Sequence, residues 1–160
     1  MKKFLKDYKK VVILGIGNEI KGDDAAGPLI ARKISALLNK NKNVAVLDGG
    51  TVPENYTGSI RKENPTHIIL VDAVEMKKKP GYIRVVEKDE IANYNISTHA
   101  MPVSYLIKYM ETTIDAKIIL VGIQPKSMGF NEKVSKEVEG SINEVVKSII
   151  QIMNSSKDLL

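Results

Sequence analysis

Apolar residues fall in two kinds of run along this chain. Short, near-continuous runs at Val11–Ile16, 44–47, 67–72 and Lys117–Ile123 are rich in β-branched residues. Such runs read as strands, and the near-continuous run at 67–72 as one buried on both faces, the kind found in parallel sheets. Between them, apolar residues recur at spacings of three and four, the period of a helix with one buried stripe. Ala26, Ile30, Ile34, Leu37 and Leu38 mark a helix over about 24–38. Val134, Val138, Ile142, Val145, Ile149 and Ile152 mark another over about 132–153, the strongest helical signal in the chain. Thr51 as cap and Pro53 in the first turn predict a short helix near 53–62.

The fourth strand, 82–86, follows the third after a turn too short for a parallel crossover, so it must run antiparallel. Arg84 within it suits a sheet edge. The segment 87–96 is polar and irregular, and Ser97 or Thr98 is placed to cap a helix reaching Met110, with Pro102 in its first turn. Residues 1–10 and 154–160 read as frayed ends of one domain spanning 1–160. Strands alternating with helices predict a three-layer α/β/α sandwich around a mostly parallel sheet.

Composition narrows the chemistry. With 43% hydrophobic residues, a chain of 160 can build a full core without covalent staples. The absence of cysteine rules out disulfides, thiolate zinc sites and a cysteine nucleophile in this chain, and is compatible with a reducing compartment. No apolar run approaches the ~20 residues of a membrane span, and the lysine-rich start has no apolar core of a secretory signal behind it. The net charge of +5 is spread over scattered lysines with few aromatics, which argues against nucleic acid as a partner.

In sheets of this class, sites lie beyond the carboxyl ends of the strands. Asn18, Glu19, Asp23 and Asp24 follow the first strand, Asp48 the second, and Asp72 closes the third. His99 stands near a helix start, and Gln124 and Pro125 follow the fifth strand. The loop Gly15-Ile16-Gly17 through Gly22 has glycine spacings of a nucleotide cradle. It lacks the third glycine of the dinucleotide fingerprint, however, and carries Asp23-Asp24 where a phosphate loop needs lysine and a hydroxyl. Two carboxylates there repel a phosphate. Asp24, Asp72 and His99 instead offer two oxygens and an imidazole nitrogen, a set suited to nickel or zinc. Asp24 reads at least as well as a cap of the first helix that favours its positive end, and Asp48 before two glycines as a turn residue. Asp72, ending an apolar buried strand, needs a partner or a purpose. His67, opening the third strand, reads as structural or exposed.

Taken together, Gly15-Ile16-Gly17-Asn18 with Asp23-Asp24 and Gly27, Leu47-Asp48-Gly49-Gly50-Thr51, Ile69-Leu70-Val71-Asp72-Ala73, Ser97-Thr98-His99 and Leu120-Val121-Gly122-Ile123-Gln124-Pro125 resemble the endopeptidases that mature [NiFe] hydrogenases. The resemblance spans nearly the whole chain. It implies a five-stranded mixed sheet of order 2-1-3-5-4 with strand four antiparallel, and a cytoplasmic protease, aspartic-type in class. Its substrate would be the precursor of the hydrogenase large subunit, which loses a C-terminal extension once nickel is in place. The nickel, carried by the precursor, would be the recognition element. Matching the family's ligands residue by residue gives Asp24, the second acid of its pair, with Asp72 and His99 as both catalytic and metal-contacting residues. The same three would serve a non-hydrolytic nickel- or precursor-binding chaperone. Glu19 stands where an aliphatic residue is usual and adds charge near the mouth, and Ala25-Ala26 replaces a glycine-led sequence.

Overall fold

The computed structural model describes residues 1–91 and 101–155. Five strands form one sheet in the order β2-β1-β3-β5-β4: β1 Val11–Ile16, β2 Val44–Gly50, β3 His67–Ala73, β4 Ile83–Glu87 and β5 Lys117–Ile123. The first, second, third and fifth run parallel, and β4 runs antiparallel to β5. The helices are α1 Ala26–Leu38, α2 Thr57–Lys62, α3 Lys88–Ile91, α4 Val103–Thr113 and α5 Lys136–Ser155. A 3-10 turn, Gly22–Ala25, leads into α1, and another, Pro53–Tyr56, leads into α2.

Alternation along the strands divides the core into two faces. Val11, Ile13, Ile69, Val71, Ile119 and Val121 pack with Ile30 and Ile34 of α1 and Ile142, Val145 and Ile149 of α5. Val12, Leu14, Ile68, Leu70 and Leu120 pack on the other side with Ile60 of α2 and Val103, Leu106 and Met110 of α4. Strands β1 and β3 are buried throughout except for the last residue of β3, which explains why neither shows polar alternation in sequence.

β4 follows β3 in the chain yet pairs with β5. The short connection forces its reversed direction, but β5 occupies the place between the two. The chain leaves β1 toward β2 on one side, while β3 lies on its other side. The switch point of the sheet is therefore the gap between the carboxyl ends of β1 and β3.

Several boundaries differ from the sequence expectation. The last helix starts at Lys136 and not near Glu132, because Ser135 is its cap: the Ser135 hydroxyl accepts the Val138 N–H at 3.4 Å. The fourth helix starts at Val103, with Pro102 outside it at ψ 135°, a conformation that residues before a helix adopt and helical ones do not. The expected caps Ser97 and Thr98 lie outside the described residues, as do the tail residues 156–160. The polar segment after β4 includes the single turn of α3.

The lead-in 1–10 is tied down. Leu5 is buried in the α1/α5 core, and Thr66 Oγ1 accepts the Lys9 N–H at 3.0 Å. Phe4 meets His67 edge-on, with ring centroids 4.9 Å apart. His67 is buried, and its Nδ1 lies 2.9 Å from Thr66 Oγ1. Burial pushes the His67 imidazole below its ordinary value, the Lys117 charge adds to this, and the Phe4 backbone and Asp7 oppose it.

The unfolded chain therefore takes up a proton on His67 near its ordinary 6.5 while the folded chain still refuses it. The stability that His67 contributes is whole above that pH and is lost as pH falls toward the lower folded value. Thermal melts from about pH 7.5 to about pH 5.5 should show a falling melting temperature, with a shallower slope in His67→Gln. Equal slopes would exclude His67 as a source of the acid sensitivity.

Candidate functional site

The loop after β1 is shaped by close backbone approach. Gly17 has φ 149°, and a Cβ placed there would stand 1.8 Å from the Asp24 carbonyl oxygen. Only glycine lets the chain double back so tightly. The 3-10 turn packs against β3, and Gly27 sets α1 directly on the strand ends: its Cβ would meet Ile16 O at 2.1 Å and Val71 O at 2.5 Å. The glycines of this loop thus serve backbone packing, and the turn they shape carries two acids.

Those acids diverge. Asp23 is fully buried. Its Oδ2 accepts the N–H groups of Lys126 and Ser127 at 2.7 and 3.1 Å and the Ser135 hydroxyl at 3.0 Å. Its Oδ1 accepts the Ser135 N–H at 2.7 Å. The Asp23 N–H in turn donates to Ser127 O at 2.9 Å.

Asp24 is also buried, and its Oδ2 accepts the Asn18 N–H at 3.1 Å, back across its own loop. It does not cap α1, whose N-cap is Ala25 with no side-chain cap bond. It lies instead in the 3-10 turn that leads directly into α1, at the helix end that favours a carboxylate.

Asp72 is 2% exposed at the end of β3, in register with Gly122 of β5. It continues the parity of Ile68 and Leu70, which places it on the α4 face of the sheet. Asp24 follows β1 and Asp72 ends β3, so the two flank the switch point. Two buried carboxylates at that gap are costly to desolvate and need compensating positive charge or hydrogen bonds. His99, the third expected residue, lies outside the described residues.

Other residues singled out in the sequence have structural roles. Asp48 Oδ1 accepts the Gly50 N–H at 3.2 Å, the expected turn bond, where the β1–β2 register shifts. Glu19 pairs with Arg32 at 2.6 Å, and that bond holds the Arg32 guanidinium above its ordinary pKa. The charge that Glu19 adds at the mouth is thereby offset.

Gln124 has a role that its place after β5 did not reveal. Its Oε1 accepts the Met76 and Lys78 N–H groups at 2.7 and 3.2 Å, and its Nε2 donates to Glu75 and to Pro125 O. It braces the β3–β4 connection that begins just after Asp72. The sequence signal for such a brace is a glutamine directly after an apolar strand, since its amide carries both donors and acceptors. A groove of about 570 Å³ lies elsewhere, between α1 and α5, lined by Leu29, Lys33, Glu139 and Ile142 among others.

The fold is a three-layer α/β/α sandwich with buried acids after β1 and near the end of β3. Within that class, the family model for the hydrogenase maturation protease HycI matches residues 28–152. The Hydrogenase 3 maturation protease of Escherichia coli is 38% identical over 139 residues, covering 86% of this chain and 87% of that one. The crystal structure of a [NiFe] hydrogenase maturation protease HycI from Thermococcus kodakarensis superposes with a TM-score of 0.88 at 29% identity, covering 96% and 97% of the two chains. The solution structure of an endopeptidase HycI from Escherichia coli gives 0.76 at 38% identity, covering 86% and 87%. The chain belongs to the hydrogenase maturation protease family.

Proposed function

We propose that this chain is a cytoplasmic endopeptidase that removes the C-terminal extension of a [NiFe]-hydrogenase large-subunit precursor after nickel insertion. The observation that carries the reading is the burial of Asp24, on a turn shaped by backbone packing, and of Asp72, within β3, on either side of the β1/β3 gap. Membership of the family supports the peptidase class.

In this reading the nickel is part of the substrate. Asp24, Asp72 and His99 take it as ligands and so set the scissile peptide in place. Mixed carboxylate and imidazole donors suit such a borderline ion. Placement alone supplies a large share of the rate, because it removes the entropy of bringing water and peptide together. Asp24 also serves as base, which makes the enzyme aspartic-type. The water oxygen bonds to the peptide carbonyl carbon, its proton passes to Asp24, and the C–N bond breaks as the leaving nitrogen takes a proton.

The test is incubation with nickel-loaded and nickel-free precursor, followed by intact-mass measurement. The expected result is loss of the extension from the nickel-loaded form alone. Binding without any loss of mass would replace the protease by a non-hydrolytic chaperone, and equal trimming of both forms would remove nickel from the recognition.

A further inference from the structure

Asp23 is the buried carboxylate that the proposed reaction leaves unused. Its four acceptor bonds all come from residues 103 to 112 positions away in the chain, on the segment between β5 and α5. Asn131 N–H adds a bond to Ile20 O at 2.6 Å, so the two loops are joined just before the turn as well as within it. An ionised acceptor receiving backbone N–H groups makes shorter and stronger bonds than a neutral one, and fixes direction as well as distance. Asp23 and Asp24 are consecutive residues of one tight turn. The backbone that Asp23 immobilises is therefore the backbone that carries Asp24, and Gly17 leaves that backbone no slack, since its Cα stands against Asp24 O.

We propose that Asp23, with Ser135 as its principal partner, is a positioning residue for cleavage: it clamps the Gly22–Ala25 turn to the β5–α5 segment and so sets where the Asp24 carboxylate stands. The proposal rests on the protease reading above for its kinetic consequence. Its structural consequence is independent of that reading, because the Asn18 N–H bonded to Asp24 Oδ2 reports the position of that carboxylate.

The experiment compares wild type, Asp23→Asn, Ser135→Ala and Ile149→Val, the last a buried core position remote from the turn. Asparagine turns an NH2 group toward N–H donors that a carboxylate accepts. Cleavage of nickel-loaded precursor should show kcat reduced about tenfold or more in Asp23→Asn, with KM within about twofold. Ser135→Ala should move kcat in the same direction by a smaller factor. The Asn18 amide resonance should shift in both. Ile149→Val should lower the melting temperature while leaving kcat and the Asn18 resonance at their wild-type values.

A kcat within about twofold of wild type in both turn variants, or an Asn18 resonance that does not move, would overturn the proposal. So would a loss no larger than that of Ile149→Val. If Asp23→Asn does not fold, Ser135→Ala, which removes one hydroxyl, decides the matter. If wild type does not cut at all, the protease reading fails and the Asn18 resonance alone judges the clamp.

Discussion

Asp72→Asn should abolish trimming of nickel-loaded precursor, lowering the rate by at least about a hundredfold while the far-ultraviolet spectrum stays unchanged. The substitution keeps size and shape and removes the anionic oxygen at the end of β3. The residue is buried, so bulk water cannot take the place of the lost oxygen. Asp48→Asn makes the same chemical change at the end of β2, where Oδ1 only closes a turn with the Gly50 N–H. It keeps that acceptor and should leave the rate within about twofold, in the range of substitutions that spare the reacting geometry. Full processing by Asp72→Asn would refute coordination by this carboxylate.

Gly27→Ala should be strongly destabilising, lowering stability by roughly 3 kcal/mol or more. The added carbon meets Ile16 O at 2.1 Å, Val71 O at 2.5 Å and Ile16 N at 2.6 Å. All three are backbone atoms of the two central strands, so no side-chain rotation relieves the clash. The helix must lift off the sheet, and the turn that carries Asp24 lifts with it. Cleavage should therefore fall along with stability. Gly140→Ala tests the same methyl where a Cβ meets nothing within 4 Å, on the exposed face of α5. It should stabilise by about 0.5–1 kcal/mol, because glycine is a poor helix residue and alanine a good one. Denaturant titrations of the two variants should move the midpoint in opposite directions. A Gly27→Ala midpoint equal to wild type would mean that α1 does not sit on the strands as described.

Much of the architecture is legible in the chain itself. The apolar runs of β1, β3 and β5 are local consequences of burial on both faces, and their limits match the structure to within a residue. The reversed direction of β4 follows from the length of one connection. The Asp48 turn follows from its own sequence, since the bond spans two residues. The family resemblance, in turn, implied the strand order and the choice between Asp23 and Asp24, neither of which periodicity can supply. The chain itself offers His99 as a nitrogen donor near a helix start, and the resemblance matches it to a family ligand.

What escaped the sequence is long-range. The start of α5 is set by Ser135, whose N–H and hydroxyl are taken by Asp23 from the far end of the chain. The Val134 position fits the helical period, yet period alone carries no information about which residue will be captured as a cap. Gln124 shows the same limit, for its amide bonds reach back 46 to 49 residues to the β3–β4 connection.

By itself, then, the sequence determined which segments are strands and helices, because burial and local propensity act over a few residues. It also determined that two acids stand in one glycine-built loop. Only the tertiary structure showed which donors each one takes. Asp23 is held by backbone amides that arrive from beyond β5, while Asp24 turns back across its loop beside the end of β3. Adjacent residues in a tight turn point in different directions, and which direction finds donors is decided by the partner segments that folding brings there.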